Sequence, residues 1–257
     1  MAAEEQGNFV NKFTIFGFHP VYEAIQSGIP VEKIIISRSV FNRRRGQSIL
    51  KSAGDLGIEV EILPGDRFAS FPVPSQGFAA AISQYRYHDI REIVGGLKTG
   101  DAIKKSVVLI LSGINDPQNL GAIIRSAAFF GVDALITSLH RSATITASVY
   151  KVSAGMVSRV RVCREVNISQ TINFLKKEGY WIYGADVRAM KRLEDIKFNF
   201  PVAFVFGAED KGPGKLILDN CDETFSIKGR SDVDSLNVSV AAGISLSRIF
   251  YLRNSNK

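Results

Sequence analysis

The sequence predicts an α/β protein: a main domain with a mostly parallel sheet covered by helices, preceded by a smaller α/β domain. Three observations carry that expectation. Short apolar runs alternate with helix-periodic segments along the chain. One run, "SVVLILSGI" at 106–114, is almost wholly apolar, as a strand buried on both faces must be. Between Tyr87 and Lys105 the chain turns polar, "YHDIREIVGGLKTGDAIKK", with one helical patch. That stretch is read as a linker, 87–105, between domains of 1–86 and 106–257.

In the first domain, "KIIIS" and "VEILP" are β-like runs flanking "RRRGQSILKSAGDLG", where Ile49, Leu50, Ala53 and Leu56 recur at helical spacing. "SQGFAAAIS" reads as a further strand of small residues. In the second domain the run at 106–114 leads to a helix over about Leu120 to Phe130, then to strand "DALITS". "ISQTINFLKKEG" is a helix leading to strand "YWIYGAD". "PVAFVFG", "KLILDNC" and "ETFSIKG" follow as strand, helix and short strand, and a last helix runs from near Leu236 to about Arg253.

Composition narrows the function classes. At 257 residues and 46% hydrophobic, the chain can build a proper core. No apolar run reaches the roughly 18 residues that span a membrane. The opening "MAAEEQGNFVNKF" is polar and partly acidic, unlike a secretory signal, so a cytoplasmic protein is expected. Cys163 and Cys221 are isolated, and His19, His88 and His140 are the only histidines, so neither a disulfide framework nor a metal site is expected. The net charge of +7 suits a polyanionic partner. Its excess is uneven: 1–86 holds 9 Lys+Arg against 8 Asp+Glu, and 87–257 holds 23 against 17.

Ligands of such sheets sit at the carboxyl ends of the strands. Three polar, glycine-containing stretches fall there: "NDPQNLGAIIRSA", "GAEDKGPG" and "GRSDVDSLNVS". The second begins as a phosphate-cradling P-loop does, with Gly207 and Gly212 five apart after a strand. Pro213 and Gly214 then stand where that loop needs its lysine and hydroxyl, which excludes it. In the first stretch Asn119 suits a helix N-cap, with Arg125 six residues on; in the second Glu209 sits between the glycines; in the third Asn237 and Ser239 open a helix. Taken alone, each is also explained by a cap or a solvated turn. Three such ends on one sheet edge point jointly to a site.

Longer pieces of the same stretches carry a family resemblance. "NDPQNLGAIIRSAAFFG", "FVFGAEDKGPGKLILDNCDETFSI" and "SLNVSVAAGISL" resemble, in order and spacing, the three motifs of the SpoU/TrmH family of RNA 2′-O-ribose methyltransferases, over about residues 106–253. "FGFHPVYEAI", "KIIIS" and "SQGFAAAIS" resemble the small substrate-binding domain that precedes the catalytic domain in bacterial 23S rRNA guanosine 2′-O-methyltransferases. The resemblance implies a deep trefoil knot in the C-terminal segments, holding S-adenosylmethionine through loop backbone at Gly207, Ile227 and Leu236, with no metal. It implies that Arg125 acts at the ribose hydroxyl, assisted by Asn119, Glu209, Asn237 and Ser239. An arginine stays protonated, so phosphate binding and alkoxide stabilisation suit it better than general-base work.

The implied partners are RNA, a guanosine of 23S rRNA foremost, and a second copy of the chain in a homodimer. A tRNA or an antibiotic-resistance rRNA site is the alternative within the enzyme class. A non-catalytic RNA-binding knot protein would be expected to have lost Arg125, Asn119 or the Ser-Leu-Asn run, and all are present. One departure stands out: where the family often has Pro and Met after "SI", this chain has Lys228 and Gly229. A less rigid, more basic loop is expected there.

Overall fold

The computed structural model describes residues 13–26, 31–65, 68, 71, 74–82, 85–208, 211–229 and 235–255. The chain divides into two compact units: Met1–Arg86 with Thr144–Arg159, and Tyr87–Ala143 with Val160–Lys257.

The first unit contains β1 (Thr14–Phe16), α1 (Phe18–Gln26), β2 (Val31–Ser37), α2 (Arg38–Phe41), α3 (Arg44–Asp55), β3 (Glu59–Leu63) and β4 (Phe78–Ile82). Its sheet runs β1-β4-β2-β3, with β2 and β3 parallel and the other pairs antiparallel. Every residue of β4 is buried, and its alanines leave room for helices to approach. The segment Thr144–Arg159 joins this unit through a close approach. A Cβ on Gly155, whose φ is +82°, would lie 2.3 Å from Cβ of Glu23, and Arg159 Nε donates to Glu23 at 3.0 Å. No local pattern in the sequence announces that contact.

The second unit contains α4 (Ile90–Lys98), β5 (Val107–Ser112), α5 (Pro117–Phe129), β6 (Ala134–Ser138), β7 (Val162–Glu165), α6 (Ile168–Lys177), β8 (Trp181–Ala185), β9 (Val202–Gly207), α7 (Lys215–Leu218), β10 (Glu223–Phe225) and α8 (Val238–Ser255). All six strands are parallel, in the order β10-β8-β9-β5-β6-β7. Val108, Ile110, Ile136 and Val205 form one cluster with Ile90, Ile93 and Val94 of α4 and Ile168, Ile172 and Leu175 of α6. Leu109 and Leu111 point to the opposite face and are buried too, which is why this strand reads as continuously apolar.

Several boundaries differ from expectation. Helix α5 begins at Pro117 rather than Leu120, because Asp116 is its cap and Pro117 takes the first helical position. The expected strand "ETFSIKG" is only Glu223–Phe225, and the helix in "KLILDNC" only Lys215–Leu218. Strand β7, "VCRE", was hidden by its charged end at the sheet edge. The implied knot depends on how 209–210 and 230–234 thread, and those lie outside the described residues. Among the described residues no helix is long and apolar enough to cross a membrane.

One buried hydrogen bond spans the sheet's base. Tyr180, just before β8, donates its hydroxyl to Ser106 Oγ at 2.7 Å, just before β5. Burial pushes the phenol from an ordinary 10 up to about 12. The folded state therefore favours the neutral form, and its contribution is full below pH 10 and lost as pH rises toward 12. Urea denaturation of Tyr180→Phe should show a loss of about 1–3 kcal/mol at neutral pH. The same variant should flatten the fall in stability between pH 10 and 12.

Candidate active site

Two loops leave the same edge of the sheet from adjacent strands, because Ser112 at the end of β5 stands opposite Gly207 at the end of β9. After β5 the chain turns at Gly113, with φ +75°, and Asp116 Oδ1 accepts from Gln118 N at 2.9 Å to start α5. Asn119 is thus inside the first turn and not the cap. Its Oδ1 accepts from Asn237 Nδ2 at 2.8 Å. Asn237 in turn caps α8: its Oδ1 accepts from Ser239 N at 2.9 Å and from the Ser239 hydroxyl. Asn119, Asn237 and Ser239 are therefore brought together at the paired starts of two helices. Both helix starts are electropositive, so the spot favours a phosphate or an oxygen gaining negative charge.

The pairing of α5 and α8 continues to their far ends, in parallel. A Cβ on Gly243 would lie 3.7 Å from Ser126 Oγ, an ordinary contact. The rings of Phe130 and Phe250 meet at 5.7 Å. Arg253 donates to the carbonyls of Phe130 at 2.9 Å and Gly131 at 3.0 Å, beyond the end of α5. A guanidinium on those carbonyls suits the negative end of the helix. Arg253 is a residue the sequence reading missed; its signal was a basic side chain in the last turn of the final helix.

Arg125 is exposed on α5, and no carboxylate among the described residues pairs with it. Six residues at about 100° each put it roughly 120° around the helix from Asn119. Ser126, and not Arg125, faces α8. Glu209 lies outside the described residues.

Gly207 has a reason of its own to be glycine. A Cβ there would lie 1.8 Å from the Gly212 carbonyl carbon and 2.0 Å from Pro213 N. The loop folds back on its strand, with Gly212 N donating to Ala208 O at 2.8 Å and Gly212 at φ +63°. Farther along, buried Ser226 donates its N–H to Lys191 O at 2.9 Å and its hydroxyl to Ala189 O at 3.0 Å. Ile227 follows directly, and neither its backbone nor that of Leu236 hydrogen-bonds another described residue. Lys228 Nζ makes a long contact with Val187 O at 3.5 Å, so the loop without Pro-Met is still tied to the 186–193 segment. Among the described residues no group of three or more His, Cys, Asp or Glu could hold a metal ion.

Residues 106–247 match the SpoU rRNA Methylase family, and residues 14–88 match the family described as RNA 2′-O ribose methyltransferase substrate binding. The chain belongs to the SpoU rRNA methylase family. It is an RNA 2′-O-ribose methyltransferase, with a mixed four-stranded domain before a parallel six-stranded SPOUT domain. A Staphylococcus aureus (strain MSSA476) protein named as a TrmH family tRNA/rRNA methyltransferase is 36% identical over 241 residues, covering 93% of this chain and 96% of its own. The fold is shared with the SpoU methyltransferase AviRb of Streptomyces viridochromogenes, solved with AdoMet, at TM-score 0.79 and 20% identity over 95% of this chain and 91% of that one. It is shared too with an AdoMet-bound rRNA methyltransferase of Sinorhizobium meliloti, at TM-score 0.76 and 18% identity over 94% and 87%.

Gly207→Ala should destabilise this family member by about 1–3 kcal/mol or more, since its methyl group meets backbone that cannot swing aside. Thermal denaturation measures the loss. An unchanged melting temperature would mean that the Gly212–Pro213 turn is not held against β9.

Proposed function

We propose that the enzyme transfers a methyl group from S-adenosylmethionine to the ribose 2′-hydroxyl of a guanosine in 23S rRNA, at the sheet edge where β5 and β9 end. The observation that carries the reading is the convergence of Asn119, Asn237 and Ser239 at two paired helix starts. The cofactor fits the same edge. Backbone groups at Ile227 and Leu236 are not spent on other described residues, and Gly207 admits the fold-back of the loop that follows β9.

S-adenosylmethionine supplies a methyl group already activated by its sulfonium. The chain's own task is then to align a ribose oxygen and steady its charge, and alignment can remove several kcal/mol, up to roughly 7–11 in ideal intramolecular cases. Asn119, Asn237 and Ser239 orient the ribose. Arg125, exposed and without a carboxylate partner among the described residues, holds the adjoining phosphate and stabilises the alkoxide as the hydroxyl proton passes to solvent water. Glu209 is assigned the role of accepting a hydrogen bond from a ligand hydroxyl. The rRNA assignment is supported by the SpoU rRNA methylase match and by the fold shared with the Sinorhizobium rRNA methyltransferase. The tRNA reading keeps support from the name of the Staphylococcus relative. Either substrate fits action in the cytoplasm.

A homodimer completes the proposal. One side of α8 packs inward through Ala242, Leu246 and Ile249, while Val240, Ile244 and Tyr251 share an outward stripe. Phe129, at the end of α5, is 80% exposed. An apolar surface of this kind on paired helices suits burial against a second copy.

Calorimetry in the presence of a chelator should show S-adenosylmethionine binding. Arg125→Ala should keep that binding and lose methylation, and Arg125→Lys should restore little, because lysine lacks the planar fork. Loss of one aligned donor costs on the order of 3 kcal/mol, about a hundredfold in rate. A rate near wild type for Arg125→Ala would place the chemistry elsewhere. Light scattering should return twice the 28.2 kDa chain mass, and a monomer mass would refute the dimer.

A further inference from the structure

The candidate site leaves unexplained a cluster of cations in the first unit. Residues 33–54 hold six Lys or Arg and no Asp or Glu. Within that span Arg38, which opens α2, and Arg43, Arg44 and Arg45, where α2 hands over to α3, are all exposed. None is paired with a carboxylate among the described residues. Three acids of the unit are engaged elsewhere: Glu59 and Glu61 with Lys33 at 3.0 and 3.1 Å, and Glu23 with Arg159 at 3.0 Å.

Neither capping nor the helix dipole favours arginines at this turn. Arg44 and Arg45 occupy the first turn of α3, where the helix end is already electropositive, and Arg43 precedes it without a side-chain capping bond. The turn is nevertheless held firmly. A Cβ on Gly46 would lie 2.3 Å from Val40 O and 2.6 Å from Phe41 O, so α3 starts hard against α2. That fixes the arginine run relative to Arg38.

Beside the arginines stands an aromatic stack. The Arg45 guanidinium lies over the Phe18 ring at 5.0 Å. Phe18 and Tyr22, one turn apart on α1, stack at 5.6 Å with planes 20° apart, and both rings are half-buried. Phe78 of β4 meets Phe18 edge-on at 5.5 Å and anchors it to the sheet. Guanidinium groups for phosphates beside ring and guanidinium planes for bases is the combination that single-stranded nucleic acid uses. A duplex presents phosphates but no base faces, which would leave the stack idle.

We infer that Arg38, Arg43, Arg44 and Arg45, with Phe18 and Tyr22, form the docking surface for an unpaired stretch of the RNA substrate. This rests on the reading of the protein as an RNA methyltransferase and adds which face of the first unit holds RNA, and in what form. Phosphates lie against Arg38, Arg43 and Arg44. A base lies against the Arg45–Phe18–Tyr22 stack.

The test is fluorescence anisotropy with the full-length protein, using a short labelled single-stranded RNA of mixed sequence and the same strand annealed to its complement. Wild type should bind the single strand more tightly than the duplex. The doubly substituted Arg43→Gln, Arg44→Gln protein should lower the salt slope of log affinity by about 1.4, roughly 0.7 per lost phosphate contact. Arg45→Gln should weaken the single strand about fivefold or more and narrow its advantage over the duplex. Unchanged slope and affinity in these variants, or a duplex bound as tightly as the single strand, would overturn the surface. Methyl transfer by wild type to total RNA, measured in parallel, separates the two readings. Ribose methylation with unaltered variant binding leaves the function and removes the surface; variant-sensitive binding without methylation does the reverse.

Discussion

The pairing of β5 with β9 is the constraint on which the second unit depends. Six residues of each run side by side in parallel, from Val107 opposite Val202 to Ser112 opposite Gly207. Both strands are buried on both faces, so a slip of one residue would misplace every packed side chain and both loops together. That register delivers the Gly113–Asp116 turn and the Gly207 loop to the same edge. Helix α5 then starts where α8 can reach it.

The helix pair completes what the strands begin. Asn119 and Asn237 join the two starts, and Arg253 closes on the carbonyls beyond the far end of α5. Side chains 118 and more than 120 residues apart in sequence thus fix one rigid body. Polar groups held this way lose little freedom when a ligand arrives, which is the condition for alignment to lower a barrier. Arg125 stands outside this lattice on an exposed face, as suits a group that engages a partner rather than the protein itself.

What the sequence made legible follows from how locally each feature is determined. Strand "VVLILS" declares itself because both its faces are buried, and α6 because one face is. The start of α5 is ambiguous in sequence although Asp116-Pro117 is a strong local signal, because Asn119 also has a capping side chain and only the tertiary bond to Asn237 shows its use. Gly207 was legible as a position needing glycine, but the neighbour that requires it, the Gly212–Pro213 backbone, becomes visible only once the loop is folded. Segment Thr144–Arg159 joins the first unit through Gly155 and Glu23, a contact with no periodicity to betray it. Roles for Arg125, Gly207, Ile227 and Leu236 came from family resemblance, since spacing alone could not separate a ligand site from a cap or a turn.

The proposed chemistry, methylation of a ribose oxygen of RNA at this sheet edge, leaves a mark that alkali reads. The most direct measurement supplies unmodified total RNA and methyl-labelled S-adenosylmethionine to the purified protein, then digests the RNA with alkali. A 2′-O-methyl group blocks cleavage at its own nucleotide, so the account predicts label confined to alkali-resistant dinucleotides, arising chiefly from one guanosine of 23S rRNA. Label released in ordinary mononucleotides would place the methyl group on a base and contradict the account, and so would the absence of transfer by folded, cofactor-binding protein.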